Sequence, residues 1–344
     1  MNRADVHVAM KTEVLATHAR ALFNAAVKRA VELLEAGEVV ALPTETVYGL
    51  AANAFNAAAV ARIFEIKGRP AHNPIIVHVA EAEMARQCVT GWPPLAEKLA
   101  KAFWPGPLTL VLPRAQKIPD AVTAGGDTVG VRWPSHPFIQ EVIRACGFPL
   151  AAPSANLSNQ VSPTNAQHVA KQLEGKIPLI VDGGQSQVGI ESTVLDVTVN
   201  PPRLLRPGMI HGRSLMAVTG KLALGEGAGT EILKSPGQLQ KHYAPKAKLV
   251  VLKWRNEAEL SAQLAAIKPR VARSHVIAHT HIPSQAGFAG VSVIPHDAEA
   301  FARALYAELH RCDELGAELI VVEAPPGTSE WRGIADRLKR ASAG

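Results

Sequence analysis

Hydrophobic positions between about residue 23 and residue 208 follow two different periods. Short runs rich in β-branched residues predict strands, and stretches with an apolar residue every three or four positions predict helices. The predicted strands are 39–44, 74–79, 108–113, 128–133, 149–154, 179–184, 192–197 and 203–208. The predicted helices are 24–36, 56–67, 92–103, 136–146 and 164–173. Because the strands are not evenly interleaved with helices, we expect a mixed rather than a purely parallel β-sheet in an α/β fold.

The pattern changes after residue 223. Residues 224–247 are rich in Gly, Pro and polar side chains and lack periodicity, which predicts a long linker, and such connections are often functional. The segments beyond it are predicted strands at 248–253, 275–280, 291–295 and 319–324, alternating with predicted helices at 256–268, 297–313 and 329–341. This alternation predicts a smaller, Rossmann-like parallel α/β domain over 248–344. Its first strand is not followed by G-x-G-x-x-G, so dinucleotide binding is not expected there.

Composition and charge narrow the class of protein. The 344 residues are 47% hydrophobic and 19% charged, with a formal net charge of +6 and a pI of about 9.3. This excess of positive charge suits an anionic substrate such as a nucleotide, and it also suits weak RNA binding. No apolar run reaches the roughly 18 residues needed to cross a bilayer, and residues 1–26 do not resemble a secretory signal. Three widely separated cysteines favour reduced thiols, so we expect a cytoplasmic protein without membrane contact.

The stretch "EIKGRPAHNP" (65–74) places two cations beside Gly and Pro. Asn56 is a good N-cap for the predicted helix before it, and Gly68 stands where a left-handed glycine would end that helix. Lys67 then lies in the last turn, where complementing the helix dipole would be a sufficient explanation for it. Arg69 is followed by Pro70, which favours an extended conformation. A cation on such a pre-set segment loses less entropy when it engages a phosphate.

Small polar residues end several other predicted strands. Each has an ordinary explanation: β-propensity for Thr44 and Thr46, core burial for His78, and helix capping for Ser162 before Pro163. Considered together, they accompany cations at strand ends beside Gly or Pro, which predicts a phosphate-bearing ligand. The candidate set is Lys67, Arg69, Arg132 and Arg206 as cations, with Thr46, Ser154, Asn156, Ser162 and Ser192 as hydroxyl or amide donors.

Several other kinds of site are not predicted. The sequence contains no Walker A motif, no His/Cys metal spacing and no Gly-x-Ser-x-Gly elbow. Few carboxylates accompany the polar segments, so no protein metal site is predicted. Any Mg²⁺ would be held mainly by the substrate's own phosphates, and no organic cofactor is expected.

The segments together resemble one family. "PTETVYGL", "KGRP", "NPIIVH", "WPGPLTLVL", "VGVRWP", "PSAN", "ESTVLD", "LLRPG" and "HYAP" occur in the order found in the threonylcarbamoyl-AMP synthases, the YrdC-like family. The "KHYAP" linker and the module after it resemble the long, two-domain form. This resemblance implies an open, twisted mixed sheet with flanking helices around a positively charged concavity. It divides the chain into a catalytic domain (1–223), a linker that closes over the active site (224–247) and an accessory domain (248–344).

The resemblance implies a reaction that joins L-threonine, bicarbonate and ATP into threonylcarbamoyl-AMP and pyrophosphate, the first step of tRNA threonylcarbamoyladenosine modification. The product would pass to the tRNA threonylcarbamoyl-transferase machinery. The implied catalytic residues are Lys67, Arg69, Ser154 and Asn156. The implied ATP contacts are Arg69, Asn73, Thr128, Ser154, Ser162, Arg206 and Tyr243. The implied L-threonine contacts are Thr46, His78, Arg132, Ala152 (through its backbone) and Ser192.

Two departures from the family pattern and two alternative functions stay open. Asn159 stands where many relatives have Gly, and Asn tolerates a left-handed conformation. The stretch "GTSEWRGIADRL" lacks an expected Gly-Leu-Gly, which leaves the contacts of the accessory domain undefined. One alternative is a module that binds double-stranded RNA without catalysis, and it predicts salt-sensitive affinity indifferent to threonine and ATP. The other is carbamoyl transfer on the same fold, although acylphosphatase-like and Cys-rich zinc segments are absent.

Overall fold

A computed structural model describes residues 11–224, 236, 243–267, 271–285 and 287–343. Within these residues the chain forms two β-sheets, one of 11 strands and one of four. The large sheet belongs to the part before the predicted linker, and the small sheet belongs to the part after it. The α/β class predicted from the sequence is confirmed.

The large sheet is mixed, as predicted. Its strands are β1 (Glu13–Ala16), β2 (Val40–Leu42), β3 (Gly49–Asn53), β4 (Val77–His78), β5 (Leu108–Pro113), β6 (Thr128–Arg132), β7 (Leu150–Ala151), β8 (Leu179–Asp182), β9 (Thr193–Asp196), β10 (Arg203–Arg206) and β11 (Ala223–Leu224). They lie in the order β1-β8-β2-β3-β7-β4-β6-β5-β9-β10-β11. It contains both parallel pairs, such as β4 with β6, and antiparallel pairs, such as β4 with β7.

Helices cover this sheet and bury its apolar side chains in one core. They are α1 (Arg20–Glu35), α2 (Ala57–Lys67), α3 (Ala82–Gln87), α4 (Pro94–Phe103), α5 (Asp120–Thr123), α6 (Pro137–Cys146), α7 (Ala166–Leu173) and α8 (Gly212–Thr219). Helix α2 begins and ends as predicted: the Asn56 side chain accepts hydrogen bonds from two backbone N–H groups, and Gly68 is left-handed at φ 59°. These two end residues fix the direction in which the chain leaves toward Arg69.

The predicted N-cap role of Ser162 is wrong. Helix α7 begins at Ala166, and its N-cap is Asn165, whose side chain accepts from the His168 backbone N–H. The Ser162 hydroxyl is instead buried and donates to the Glu191 carboxylate at 2.6 Å. Because helix α7 starts four residues after Ser162, no free N–H of the helix lies next to the hydroxyl, which instead donates a charge-assisted hydrogen bond to the buried carboxylate.

The small sheet is parallel throughout, as predicted. It contains β12 (Lys248–Leu252), β13 (Ser274–Ala278), β14 (Gly290–Val293) and β15 (Leu319–Glu323) in the order β12-β15-β13-β14. Its helices are α9 (Glu257–Ile267), α10 (Ala298–Glu314) and α11 (Arg332–Ala341). None of the described helices combines the length and apolar character that crossing a bilayer requires.

The two parts share a hydrophobic core. Val47, Val161 and Ile190 of the first part pack in one cluster with Tyr306 and Ile334 of the second. Close backbone contacts accompany this core: a Cβ added to Gly189 would lie 2.4 Å from the Ala302 carbonyl oxygen of α10. The C-terminal part therefore packs directly on the chain segment around residue 190.

Candidate functional site

A cleft opens where β4, β6, β7 and β10 end, beside the loops at 44–49 and 152–154. It encloses about 50 Å³. The residues lining it are Thr44, Thr46, Val47, Tyr48, Gly49, Arg69, Ile76, His78, Arg132, Ala152, Pro153, Ser154, Glu191, Ser192, Arg206, Pro236 and Tyr243. The cleft therefore brings together residues separated by almost 200 positions in the sequence.

Most of the sequence-predicted site residues meet here. Those lining the cleft are Thr46, Arg69, His78, Arg132, Ala152, Ser154, Ser192, Arg206 and Tyr243. Those outside the lining are Lys67, Asn73, Thr128, Asn156 and Ser162. The predicted convergence of three arginines with hydroxyl groups is therefore present in the structure.

Arg132 is the cation on one side of the cleft. The residue is 3% exposed, its Nη2 lies 2.7 Å from a Glu45 carboxylate oxygen, and its Nη1 donates to Thr46 Oγ1 at 2.9 Å. Among the described residues, Nε has no hydrogen-bond acceptor, and Nη2 faces the Glu45 carboxylate as an ion pair without hydrogen-bond alignment. Buried donors without acceptors are costly, which makes this edge of Arg132 a natural place for a ligand's carboxylate.

His78 lies beside Arg132 in the register of β4 against β6. Its side chain is buried, and Nδ1 has no hydrogen-bond partner among the described residues. Burial, and then the nearby Arg132 charge, lower the pKa of His78 well below its usual range. The imidazole is therefore neutral at pH 7 and keeps one nitrogen available to a polar group of a ligand.

Arg69 and Arg206 lie on the other side of the cleft. Arg69 donates to the carbonyls of Asn73 and Pro74 at 3.0 and 2.7 Å, so the stiff 69–74 segment holds its own cation in place. Burial lowers the pKa of Arg69 to about 10, which leaves it positively charged at pH 7. Arg206 donates to the Ser192 carbonyl at 3.0 Å and to Ser192 Oγ at 3.1 Å. Two fixed cations thus lie where little water competes for a phosphate.

Lys67 supports the loop that carries Ser154 and does not line the cleft. Its ammonium group donates to the Ser154 carbonyl at 2.5 Å and to the Asn156 carbonyl. Asn156 in turn donates through Nδ2 to the carbonyls of Leu157 and Gln160, both at 2.8 Å. Lys67 is 2% exposed, so it is not a solvated partner of the helix dipole alone. Burial, and then the Arg69 charge, lower the pKa of Lys67 well below its usual range.

Neither Asn73 nor Thr128 lines the cleft, but Asn73 lies close to it and Thr128 lies at the far end of strand β6. Asn73 is 1% exposed, and neither side-chain amide atom has a hydrogen-bond partner among the described residues. Its carbonyl is bonded to Arg69, so the amide lies close to the cationic side. Thr128 begins β6, four residues before Arg132, and at strand spacing this separates their Cα atoms by about 13 Å.

Tyr243 belongs to the predicted linker and lines the cleft. It is 1% exposed and adopts a positive φ of 63°, which a non-glycine residue rarely does. Its ring centroid lies 5.9 Å from that of Tyr306 and 5.4 Å from the Arg337 guanidinium carbon. Pro236 also lines the cleft, and its carbonyl accepts from Arg206 at 3.3 Å. Residues 225–235 and 237–242 of the predicted linker lie outside the described residues.

Sequence reasoning missed Glu45, Glu191, Tyr306 and Arg337. The two acids stand inside the "PTET" and "EST" segments that carried the family resemblance, so their position was a signal that could have been used. Tyr306 and Arg337 lie in helices α10 and α11, far along the chain from every motif. Their apolar neighbours gave no indication that either side chain reaches the cleft region.

Comparisons with known proteins identify relatives for both halves of the chain. A family model described as telomere recombination matches residues 32–208, and the model of the threonylcarbamoyl-AMP synthase C-terminal domain matches residues 210–343. The chain is 39% identical to a threonylcarbamoyl-AMP synthase of Pyrococcus abyssi, over 92% of this chain and 94% of that protein. It is 40% identical to one of Bacillus subtilis, over 92% and 93%.

Solved structures give the same result for the fold. The crystal structure of P. abyssi Sua5 complexed with L-threonine superposes with a TM-score of 0.88 at 38% identity, covering 96% of this chain and 98% of that one. This superposition covers both sheets, and each half of the chain matches a family model of its own. The chain therefore belongs to the threonylcarbamoyl-AMP synthase family.

Proposed function

We propose that this protein joins L-threonine, bicarbonate and ATP into threonylcarbamoyl-AMP and pyrophosphate, and that the product enters tRNA threonylcarbamoyladenosine formation. The observation that carries the proposal is the convergence of Arg69, Arg132 and Arg206 on one small cleft of a family member. Three buried cations, of which Arg132 is ion-paired with Glu45, suit a substrate set that contains a carboxylate and a triphosphate.

L-Threonine binds on the Arg132 side. Its carboxylate binds at the edge of Arg132 that carries Nε, which has no hydrogen-bond acceptor among the described residues, next to Nη2, which is ion-paired with Glu45. The geometry favours this edge over Nη1, because Nη1 already donates to Thr46. The threonine hydroxyl and amine lie near His78, Thr46 and Ser192, with the Ala152 backbone completing the pocket. A carboxylate held by two charge-assisted bonds also fixes the direction of the amine.

ATP binds on the Arg69 and Arg206 side, with Ser154 at the phosphates. Among the described lining residues the only carboxylate is Glu191, and it already accepts hydrogen bonds from Ser162, Tyr306 and Arg337. Mg²⁺ therefore arrives as the ATP complex, held by phosphate oxygens. Asn73, Thr128 and Ser162 remain predicted ATP contacts. For Asn73 the buried, unpaired amide supports this role.

The chemistry joins two anions. The threonine amine and bicarbonate form a carbamate with loss of water. A carbamate oxygen then attacks the α-phosphorus, a new P–O bond forms, and the bond to the β-phosphate oxygen breaks to release pyrophosphate. Arg69 and Arg206 reduce the repulsion between carbamate and triphosphate and stabilise the charge that leaves on pyrophosphate.

The remaining predicted residues act by holding this arrangement. Lys67 and Asn156 fix the 154–157 loop through backbone carbonyls and so orient Ser154 toward the phosphates. Tyr243 covers the cleft and excludes water that would hydrolyse the carbamate or the adenylate. Lys67 and Tyr243 are therefore required for product formation, although neither takes part in making or breaking a bond of the substrates.

The test measures pyrophosphate release with threonine and bicarbonate each present or omitted. The wild type should release pyrophosphate only when both are present, and the Lys67→Ala/Arg69→Ala double variant should lose at least 100-fold in rate. Arg273→Ala is the matched control, because Arg273 is exposed and pairs with Glu318 far from the cleft. Release that is indifferent to threonine, or a double variant as active as the control, would refute the proposal.

A further inference from the structure

Glu191 is held at the cleft by side chains from the C-terminal part of the chain. One carboxylate oxygen accepts from Arg337 Nε at 2.7 Å and from the Tyr306 hydroxyl at 3.0 Å, and the other accepts from Ser162 Oγ at 2.6 Å. Burial raises the pKa of Glu191, but the Arg337 and Arg206 charges outweigh burial and lower it overall. The group is therefore a carboxylate whose remaining acceptor capacity faces the cleft.

Arg337 is fully buried and uses its other nitrogens on the backbone of the same region. It donates to the Glu191 carbonyl at 3.1 Å and to the Pro207 carbonyl at 2.9 Å. Its guanidinium carbon also lies 5.4 Å from the centre of the Tyr243 ring. One side chain of α11 thus contacts residues next to Ser192 and Arg206, as well as the tyrosine that covers the cleft.

Close glycine contacts make this reach possible. A Cβ added to Gly333 would lie 3.0 Å from the Gly208 Cα, so α11 begins directly against the end of β10. On the other side, Gly189 packs on the backbone of α10 with φ +83°. The segment between Gly189 and Glu191 is therefore clamped between both helices, and it is tied to the threonine side by the Gly189 N–H donating to the Thr46 carbonyl.

We propose that Tyr306 and Arg337 are positioning residues of the catalytic cleft, which they set through Glu191 and Tyr243. On this view the C-terminal domain supplies part of the ATP side of the site: Glu191 fixes Ser162, and Arg337 fixes the Tyr243 ring and the Pro207 carbonyl beside Arg206. The proposal rests on the proposed function, since it concerns the binding of ATP in that reaction.

The proposal predicts a separation of kinetic constants. Tyr306→Phe removes one hydroxyl and keeps the packed ring, and it should raise the KM for ATP about 5-fold or more. Arg337→Lys keeps the charge but loses the several donors of the guanidinium, and it should raise the KM for ATP about 10-fold. Arg337→Met also loses the charge and should raise this KM further. The KM for threonine should change less than about 2-fold. A purely structural role would instead lower the active fraction and hence kcat, leaving both KM values unchanged.

Two further variants make the test decisive. Arg311→Met is the matched control, because Arg311 pairs with Glu308 in the same C-terminal domain and does not line the cleft. It should lower Tm without changing either KM. Glu191→Gln combined with Tyr306→Phe should raise the KM for ATP no more than Glu191→Gln alone, because the hydroxyl acts through that carboxylate.

The outcomes separate this inference from the function it rests on. Unchanged KM for ATP in Tyr306→Phe and Arg337→Lys, in an enzyme whose wild type depends on threonine and bicarbonate, overturns the positioning role and leaves the function intact. Additive effects in the double variant also overturn it. A wild type without threonine-dependent pyrophosphate release refutes the proposed function itself.

Discussion

The two parts of the molecule differ in whether their buried polar atoms have hydrogen-bond partners. Around the cleft many of them lack a hydrogen-bond partner within the described residues: Glu45, Asn73, His78, Arg132 and Asn156 each have at least one such atom. In the described residues from 243 onward none is left in this state. There Glu323 accepts from the backbone N–H groups of His279 and Thr280, and Arg337 has acceptors on three residues.

This difference separates a binding region from a supporting one. Unpaired buried groups lower stability, and a folded protein keeps them where a ligand supplies the missing bonds. Fully paired groups rigidify the structure around them. The first part thus presents unsatisfied donors to substrate, and the second part holds two of the residues that border the cleft, Glu191 and Tyr243.

The largest expected effect comes from the Nε/Nη2 edge of Arg132, where Nε has no acceptor among the described residues. Arg132→Met removes the two donors that would bind the threonine carboxylate and should lower kcat/KM for threonine at least 100-fold, equal to about 3 kcal/mol. The same change should alter the KM for ATP far less. Steady-state pyrophosphate assays with each substrate varied check this. Equal losses for both substrates would mean that Arg132 does not distinguish the two sides of the cleft.

A change in the paired region should affect stability instead of catalysis. Glu323→Ala leaves backbone N–H groups at 279–281 without their carboxylate acceptor and should lower the free energy of unfolding by about 2 kcal/mol. The rate per folded molecule should stay at the wild-type value. Urea unfolding and an activity assay on the same samples check both, with the exposed Glu83→Ala as control. If Glu323→Ala lowered the rate without lowering the free energy of unfolding, the C-terminal part would act in catalysis and not in support.

Acid should weaken the contact between the two parts. The rings of His168 and His310 stack at 3.9 Å across this contact, and burial lowers the pKa of His168 to about 3 and also lowers that of His310. Unfolded histidine binds protons near pH 6.5, so the folded state binds fewer protons below that value. The stability contributed by neutral rings is complete above about pH 6.5 and is lost progressively as the pH falls toward 3.

The measurement is thermal unfolding between pH 7 and pH 5. The wild type should lose about 1 kcal/mol over this range, and His310→Gln should show a shallower loss while keeping a donor to the Ser162 carbonyl. Substitution of the exposed His18 by Gln is the control and should leave the slope unchanged. A slope that does not respond to His310→Gln would place the acid sensitivity elsewhere.

The smallest expected effect concerns Asn159. Its φ of 66° confirms that the position is left-handed, as expected where relatives have Gly. Asn159→Gly relieves this strain but increases the freedom of the unfolded chain, so the free energy of unfolding should change by less than about 1 kcal/mol. A thermal melt checks the value. A larger change in either direction would show that the Asn side chain itself supports the loop.

The sequence predicts the secondary structure and the cleft residues better than it predicts the distant contacts that hold them in place. The capping pair Asn56 and Gly68 and the parallel C-terminal sheet follow from local patterns, and the structure confirms them. The strands β1, β3 and β11 and the helices α3, α5 and α8 are not predicted. In β3, Gly49 and three alanine or leucine residues carry no strand signal, so only the pairing with β2 and β7 makes this segment a strand.

The site divides in the same way. Arg69 and Arg132 are recognisable because each stands beside Pro or at a strand end within a motif. The predicted helix start at Ser162 is wrong because the helix begins at Ala166, and the Ser162 hydroxyl donates to Glu191, a carboxylate distant in the sequence. Arg337 could not be found from sequence, because its role depends on Gly333 packing against Gly208 about 125 positions away. Contacts between distant segments are set by packing, which no local pattern encodes.

The most direct test of the difference between the two parts is a crystal structure of this protein with L-threonine and a non-hydrolysable ATP analogue. The threonine carboxylate should lie on the Nε/Nη2 edge of Arg132, and the triphosphate should contact Arg69 and Arg206, with no change in the bonds of Arg337 to Glu191. Threonine bound away from Arg132, with Nε still lacking an acceptor, would contradict the central claim.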